Sequence, residues 1–307
     1  MLSSQSDLEE LRRRLDAIDD KLQDLLIERL EIVSRVAAEK RNDSVPSYVP
    51  AREAQILRRL VARHEGAFPA GPLVRIWREL LGTTTRAQGP FAIGVCAPPE
   101  SSGIWDVARD QYGSHAPMTV FPTTSQVIRA VTDRRVAVGV LPMPQDGDSD
   151  PWWVHLLSPD ADTPRVIGRL PFGPRGNARS MGADALAIGY GPQQPSGSDR
   201  TLLATENAVD ISHGRFATAL SASGLTCTLI ASCGRGAAAN TLIEIDGFVT
   251  LADPRLVTLR ERLGADLLRL LAVGSYAIPL AEAAGSPSMS SRTQPSAMQA
   301  ALHGARG

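Results

Sequence analysis

The sequence predicts a multidomain protein in which an all-α segment of three helices is followed by a small α/β unit and then by an α+β unit. Residues 6–40 repeat apolar side chains at helical heptad spacing without Gly or Pro, short β-branched runs alternate with helix-like segments from Phe91, and a second alternation begins at residue 200. A chain of 307 residues is long for one compact domain. We therefore divide it into an all-α domain (5–90), an α/β unit (91–188), a linker (189–199), an α+β domain (200–281) and a disordered tail (282–307).

Composition excludes several classes of function. The formal net charge is −1, so nothing global favours nucleic acid or an anionic membrane as a partner. No apolar run has the length of a membrane span, and the three cysteines have no metal-binding spacing. Nucleotide-binding fingerprints are also absent from the sequence. We expect a cytoplasmic protein with reduced thiols, no metal and no cofactor.

The first predicted helix, residues 6–40, carries an apolar seam. Ser6 and Glu9 form a capping-box pattern that predicts the helix start. The seam positions share two heptad sites and comprise Leu8, Leu11, Leu15, Ile18, Leu22, Leu25, Ile32 and Val36. Arg29 occupies a seam position, although a guanidinium is rarely buried without an anionic partner. This interruption indicates an anion-binding function at Arg29.

The spacing of the cations predicts how the helix is used. Arg29 and Lys40 are about three helical turns apart and lie on nearly one face, whereas Arg12 is about 42 Å from Lys40 on a straight helix. A compact ligand cannot contact both ends, so Arg12 would have to come from a second protomer. A dimer of antiparallel long helices, a helix-swapped dimer, would also cover the seam.

Two shorter helices complete the all-α domain. Residues 51–66 predict a helix that stops at Gly66, with inward residues Ile56, Leu57, Leu60 and Val61. A third helix is predicted from about Pro72 to Gln88, and its apolar side comprises Leu73, Ile76, Trp77, Leu80 and Leu81.

These residues together resemble an active site of known type. The pattern of Arg12, Arg29, Lys40, the Arg52-Glu53 pair, Thr84 and Gln88 is similar to that of the all-helical chorismate mutases, over residues 5–90. The resemblance implies an isomerase that converts chorismate to prephenate in phenylalanine and tyrosine biosynthesis, without nucleophile, metal or proton relay. Val49 departs from it, since many relatives have an acidic residue there.

The resemblance also implies a role for each residue. Arg29 and the Arg12 of a partner chain would bind the two carboxylates of chorismate. Lys40 and Gln88 would donate to the ether oxygen, and Glu53 would accept from the ring hydroxyl. The substrate-binding positions would be Arg52, Thr84 and Val49. Because no group in the set has a reference pKa between about 6 and 8, we expect activity to be flat over that range.

The rest of the chain resembles parts of two other families. Strands predicted near 91–95, 119–122 and 134–142 follow the order of the first lobe of prephenate dehydratase, in a parallel sheet. Ala183-Asp184 stands where that family has a catalytic Thr-Arg pair, and the segment is too short for a second lobe. Residues 200–281 alternate as βαββαβ and resemble an ACT domain with altered effector motifs.

Three functions remain open from the sequence. The resemblance favours a homodimeric chorismate mutase with an inactive dehydratase-like part. The first alternative is a bifunctional chorismate mutase/prephenate dehydratase. The second is a non-catalytic regulatory or partner-binding protein of the ACT type. Arg12 belongs to the run Arg12-Arg13-Arg14, and the alternative to a catalytic role is that this run is an ordinary solvent-exposed helix face.

Overall fold

The computed structural model describes residues 2–42, 48–98, 103–177, 179, 183–208, 211–234 and 239–280. The helices are α1 (Leu2–Asn42), α2 (Pro50–Ala62), α3 (Ala70–Ala87), α4 (Gly103–Tyr112), α5 (Thr124–Thr132), α6 (His213–Ala222) and α7 (Pro254–Leu263). The strands are β1 (Ile93–Cys96), β2 (Met118–Phe121), β3 (Val138–Pro142), β4 (Arg165–Leu170), β5 (Ala185–Gly189), β6 (Asp199–Asn207), β7 (Cys227–Cys233), β8 (Ala239–Asp246) and β9 (Leu267–Ala277). The predicted tail lies outside the described residues.

Helix α1 is longer than the sequence predicted. It begins at Leu2, so Ser6 lies inside it and the predicted capping box is wrong. The residues before Ser6 include no Gly or Pro, and nothing in them stops the helix from extending towards the N-terminus. Most of the apolar residues of α1 are exposed in the described part of the chain. The eight seam positions are 46–59% exposed.

Helix α2 ends earlier than predicted, whereas the predicted end of α3 at Gln88 agrees with the structure. Helix α2 ends at Ala62, where the N–H of Arg63 donates to the carbonyl of Arg59, and Gly66 lies in the following turn instead of at the helix end. Helix α3 is capped by Gln88. Ile76, predicted to lie inward, is half exposed. The buried face of α3 comprises Val74, Arg78, Leu81, Gly82, Thr84 and Thr85. This face is rotated from the predicted one because α3 packs against α4 of the α/β region.

The strands form one nine-stranded sheet in the order β2-β1-β3-β5-β4-β9-β6-β8-β7. Strand β1 pairs in parallel with β2 and with β3, as helical crossovers α4 and α5 require. Strand β5 is antiparallel to both β3 and β4. The parallel arrangement predicted for the strands near 91–95, 119–122 and 134–142 is confirmed by the pairs of β1, and the sheet as a whole is mixed because β5 runs antiparallel to both of its neighbours.

The C-terminal strands continue the same sheet. From β6 to β9 the elements alternate as βαββαβ, with β6 paired antiparallel to both β8 and β9. The two halves of the sheet meet where Val166 of β4 pairs with Gly274 of β9. Gly274 has φ +147°, and a Cβ there would lie 2.1 Å from the carbonyl oxygen of Val166. Glycine therefore permits the close approach that joins the halves.

Arg58 makes most of the hydrogen bonds that anchor helix α2 to the sheet. Arg58 Nη1 donates to the hydroxyl of Ser196 at 2.8 Å, and Nη2 donates to the carbonyls of Ser198 at 2.7 Å and Ile278 at 2.8 Å. The guanidinium also lies over the ring of Phe172 at 5.7 Å. Arg58 thus ties α2 to the segment before β6 and to the end of β9.

Helix α3 is anchored along its length to α4 and the turn after it. Glu79 accepts from the backbone N–H of Ser114 at 2.9 Å, and Arg75 forms an ion pair with Asp110. A Cβ on Gly82 would lie 2.1 Å from the carbonyl oxygen of Tyr112, so the two helices are in backbone contact there. The three-helix segment is therefore fixed to the α/β region. No helix among the described residues is long and apolar enough to cross a membrane.

Candidate active site

Arg29 marks the place where α1 meets α3. Its Nη1 donates to the hydroxyl of Thr84 at 3.3 Å, and its guanidinium lies 5.6 Å from the ring centre of Trp77. The side chain is half-buried, and this burial lowers the pKa of Arg29 while the nearby Glu53 opposes the change. Arg29 stays cationic because an arginine is not deprotonated in a protein. It supplies a fixed positive charge with donors still open to solvent.

Glu53 lies in the first turn of α2 and is turned towards α3. Its Oε2 accepts from Arg78 Nη1 at 3.0 Å, and its Oε1 accepts from the hydroxyl of Thr85 at 3.4 Å. Burial raises the pKa of Glu53, and the charge of Arg78 is the largest opposing influence. A buried carboxylate held by two donors has a fixed direction. It offers its remaining lone pairs to a hydroxyl or amine.

Thr84 and Gln88 lie one turn apart at the C-terminal end of α3. The Thr84 hydroxyl donates to the carbonyl of Leu80 at 2.9 Å, so its oxygen is free to accept from Arg29. Gln88 Nε2 donates to the carbonyl of Thr84 at 3.1 Å. The neutral amide of Gln88 is half-buried and keeps a second N–H. The site therefore combines a cation, a carboxylate, a hydroxyl and an amide.

This arrangement has a counterpart among known families. Residues 11–89 match the family model described as chorismate mutase type II. The N-terminal helices form a chorismate mutase type II domain. All the residues that make the polar contacts described above lie within the matched range.

The curated relatives extend beyond this mutase domain. A bifunctional chorismate mutase/prephenate dehydratase from Aquifex aeolicus is 28% identical over 141 residues, which is 45% of this chain and 39% of that protein. The protein of the same description from Pseudomonas aeruginosa is 26% identical over 147 residues, 46% of this chain and 40% of that protein. The matched part of this chain thus spans about two fifths of these relatives' length.

One solved structure similar to this chain is a prephenate dehydratase from Streptococcus mutans. It aligns with a TM-score of 0.42 and 12% sequence identity, over 62% of this chain and 99% of that chain.

The mutase domain brings together four of the eight residues predicted from the sequence, namely Arg29, Glu53, Thr84 and Gln88. Arg12 is exposed and lies 17 residues before Arg29 on the same helix, about 26 Å away. Arg52 is exposed, and Val49 is a half-buried residue at the N-cap of α2 that makes no side-chain cap. The backbone of Lys40 is helical, but its side chain lies outside the described residues.

Sequence reasoning missed Arg78. This arginine is 4% exposed and forms an ion pair with Glu53, although the default for an arginine on a helix is solvent. A signal was present in its spacing, since Val74, Arg78, Leu81 and Thr85 share one face of α3. The stripe with Leu73 and Trp77 is more apolar, and periodicity alone therefore favours it as the inward face.

Other reactive groups in the described part of the chain do not form a second site of this kind. No group of three or more His, Cys, Asp and Glu residues there is arranged to hold a metal ion. Burial raises the pKa of Cys96 to about 11, so this thiol stays protonated at neutral pH.

Proposed function

We propose that this protein is a chorismate mutase, an isomerase that rearranges chorismate to prephenate. The observation that carries the proposal is the meeting of Arg29, Glu53, Thr84 and Gln88 between three helices that match the family model. The rearrangement is intramolecular, so the protein has to hold a flexible dianion in its reactive shape and stabilise the charge that separates across the breaking bond. Fixed donors and cations suit both tasks.

Each residue takes a role that fits its surroundings. Arg29, with Thr84 holding one of its nitrogens, binds a carboxylate of the substrate. Gln88 donates to the ether oxygen through an N–H that needs no protonation, and Lys40 is the proposed second donor to that oxygen. Glu53 accepts from the ring hydroxyl, while Arg52 and Val49 border the substrate.

A homodimer completes the proposed site. The seam of α1 leaves apolar side chains at eight positions about half exposed, and an antiparallel copy of α1 would cover them. That pairing carries Arg12 of one chain towards Arg29 of the other, where it binds the second carboxylate. An interface residue thus becomes a catalytic residue of the partner's site.

The direct test is turnover of chorismate by the purified full-length protein, with chorismate, prephenate and phenylpyruvate measured together. Prephenate as the sole product supports the proposal. No loss of chorismate overturns it, and leaves the non-catalytic regulatory protein of the ACT type as the function to pursue through its βαββαβ half.

A bifunctional mutase and dehydratase is the second candidate, because the relatives from Aquifex aeolicus and Pseudomonas aeruginosa carry that description. The contacts of Asp184 argue against dehydratase activity. Asp184 occupies the expected position of a catalytic arginine, and its carboxylate is bound by Arg169 at 3.0 Å and by Arg175. An ionised aspartate is an acceptor only and cannot donate to a substrate as the arginine of the family pair would. Formation of phenylpyruvate in the same assay would favour the bifunctional protein.

A further inference from the structure

Arg78 is a buried cation whose partners come from two parts of the chain. Within the mutase domain, its Nη1 donates to Glu53 at 3.0 Å, and the side chains of the pair are 5% and 13% exposed. Its Nε has no hydrogen-bond partner among the described residues. A buried guanidinium with an unpaired N–H needs other stabilisation to be retained.

That stabilisation comes from the α/β region. The guanidinium of Arg78 lies 4.9 Å from the ring centre of Phe172, which follows β4. The amide of Gln111 on α4, in the orientation that satisfies both groups, places its oxygen 3.0 Å from Nη1 and 3.3 Å from Nη2. A ring and an amide from outside the mutase domain therefore fix the guanidinium.

The segment that carries Phe172 is itself held in place. The carbonyl of Phe172 accepts from the backbone N–H of Leu280 at 2.7 Å. The next residue, Gly173, is so close to α3 that a Cβ there would lie 2.7 Å from Cγ1 of Val74. The ring of Phe172 thus has a defined position relative to Arg78.

Charged and titratable groups surround Glu53 from several elements. Arg78 on α3 and Arg29 on α1 both favour its ionised form. Tyr48 before α2 and Tyr112 on α4 also face it, and burial raises the pKa of both phenols, so they stay neutral. Arg78 is the largest opposing influence on the raised pKa of Glu53. Loss of its charge would therefore raise that pKa further.

We propose that Arg78 is a positioning residue that holds the Glu53 carboxylate for the mutase reaction, and that the α/β region sets Arg78 in place through Phe172 and Gln111. This inference rests on the proposed mutase function. It assigns the dehydratase-like region a task in the mutase site that does not depend on any chemistry of its own. The mutase domain and the α/β region then act as one catalytic unit.

The test is the pH profile of kcat for chorismate in the full-length protein. Because burial raises the pKa of Glu53, the wild-type profile should fall on the acid side as Glu53 is protonated, above the pH of an exposed glutamate. The pH range over which activity is constant would then begin at a higher pH than reference pKa values predict. Arg78→Met should move this acid limb upwards, with kcat at a fixed pH on the limb falling about tenfold for each unit of displacement.

Matched variants separate positioning from general damage. Arg75→Met removes a cation one turn away on α3, which pairs with Asp110 across the same interface, and should leave the acid limb where it is. Arg78→Lys, which keeps the charge, should restore most of the wild-type profile. Phe172→Leu should shift the limb in the same direction as Arg78→Met but by less, and it serves where Arg78→Met does not fold.

The outcomes distinguish the two proposals. Wild-type turnover with the same acid limb in Arg78→Met, Phe172→Leu and Arg75→Met would overturn the role of Arg78 alone. A wild-type protein that does not convert chorismate would overturn both. In a Glu53→Gln background the carboxyl no longer titrates, so adding Arg78→Met should produce no further displacement.

Discussion

Two apolar surfaces of the N-terminal helices differ in their exposure to solvent. The seam of α1 is about half exposed at all eight of its positions, whereas the inner face of α3 is buried, with Gly82 against Tyr112 of α4 and Leu81 packed with Leu57 of α2. Both surfaces belong to one mutase domain. The inner face is covered within the chain, and the exposure of the seam is the observation behind the proposed dimer. Arg29 lies on the seam, and Arg78 lies on the inner face.

Charged substitutions in the seam should have the largest effect. In Leu15→Glu/Leu22→Glu, each carboxylate would have to be buried in the proposed interface, at a penalty far above the gain from leucine burial. We expect a monomeric, folded protein without mutase activity, measured by light scattering and chorismate turnover. Gln23→Glu adds the same type of charge beside the seam and should remain dimeric and active. An active monomer would show that Arg12 is not needed from a partner.

The second prediction concerns Arg12 and Arg29 in combination. Arg29→Ala should lower kcat/KM by about 10²–10³-fold, as loss of a transition-state donor does, and Arg12→Ala should also be severely impaired. In a heterodimer of the two variants, one site has both arginines and the other has neither. Random exchange of subunits should therefore restore about a quarter of wild-type activity. If mixing restores nothing although heterodimers form, Arg12 does not act across the interface.

The inner face can be tested by Gly82→Ala. Alanine is favoured over glycine in a helix by about 1 kcal/mol, but the added Cβ would lie 2.1 Å from the backbone of Tyr112. Overpacking of this kind costs about 1–3 kcal/mol and should outweigh the helix gain. We expect a lower melting temperature with the dimer retained.

Gly89→Ala is the matched control for that variant, because nothing lies within 4 Å of a Cβ at this position. It should leave the melting temperature nearly unchanged. If Gly82→Ala were as stable as Gly89→Ala, the close approach of α3 and α4 would not be a stability determinant.

Periodicity predicted the elements of this fold better than their partners. The seam of α1 and the order of strands from β6 to β9 follow from residues that are neighbours in sequence. The position of Arg78 depends on Gln111 of α4 and on Phe172, which are 33 and 94 residues away in the chain. Local pattern contains no information about such contacts. The same limit explains Ile76, which was predicted to lie inward but is half exposed because α3 packs against α4 with another face.

The residues of the site also differ in how far local sequence could identify them. Arg29 was identifiable because it interrupts an apolar repeat on its own helix. Glu53 and Gln88 were identified by resemblance, since a single exposed-looking Glu or Gln has no distinctive local pattern. Arg78 neither interrupts a clear apolar repeat nor belongs to the residues that carry the family resemblance. Long-range packing, not local sequence, decides which charge becomes buried.

The smallest expected effect comes from Val49, at the start of α2. Its backbone has φ −129° and ψ 93°, suited to an N-cap, but valine provides no acceptor for the free N–H groups of the first turn. Val49→Asp would supply one and place a negative charge at the helix N-terminus, worth about 1 kcal/mol or a melting temperature about 2–4 °C higher. Val49→Asn caps without the charge and should gain less. If relatives use an acid here to contact substrate, kcat/KM should rise in Val49→Asp but not in Val49→Asn, and an equal change in both would limit the position to a role in helix stability.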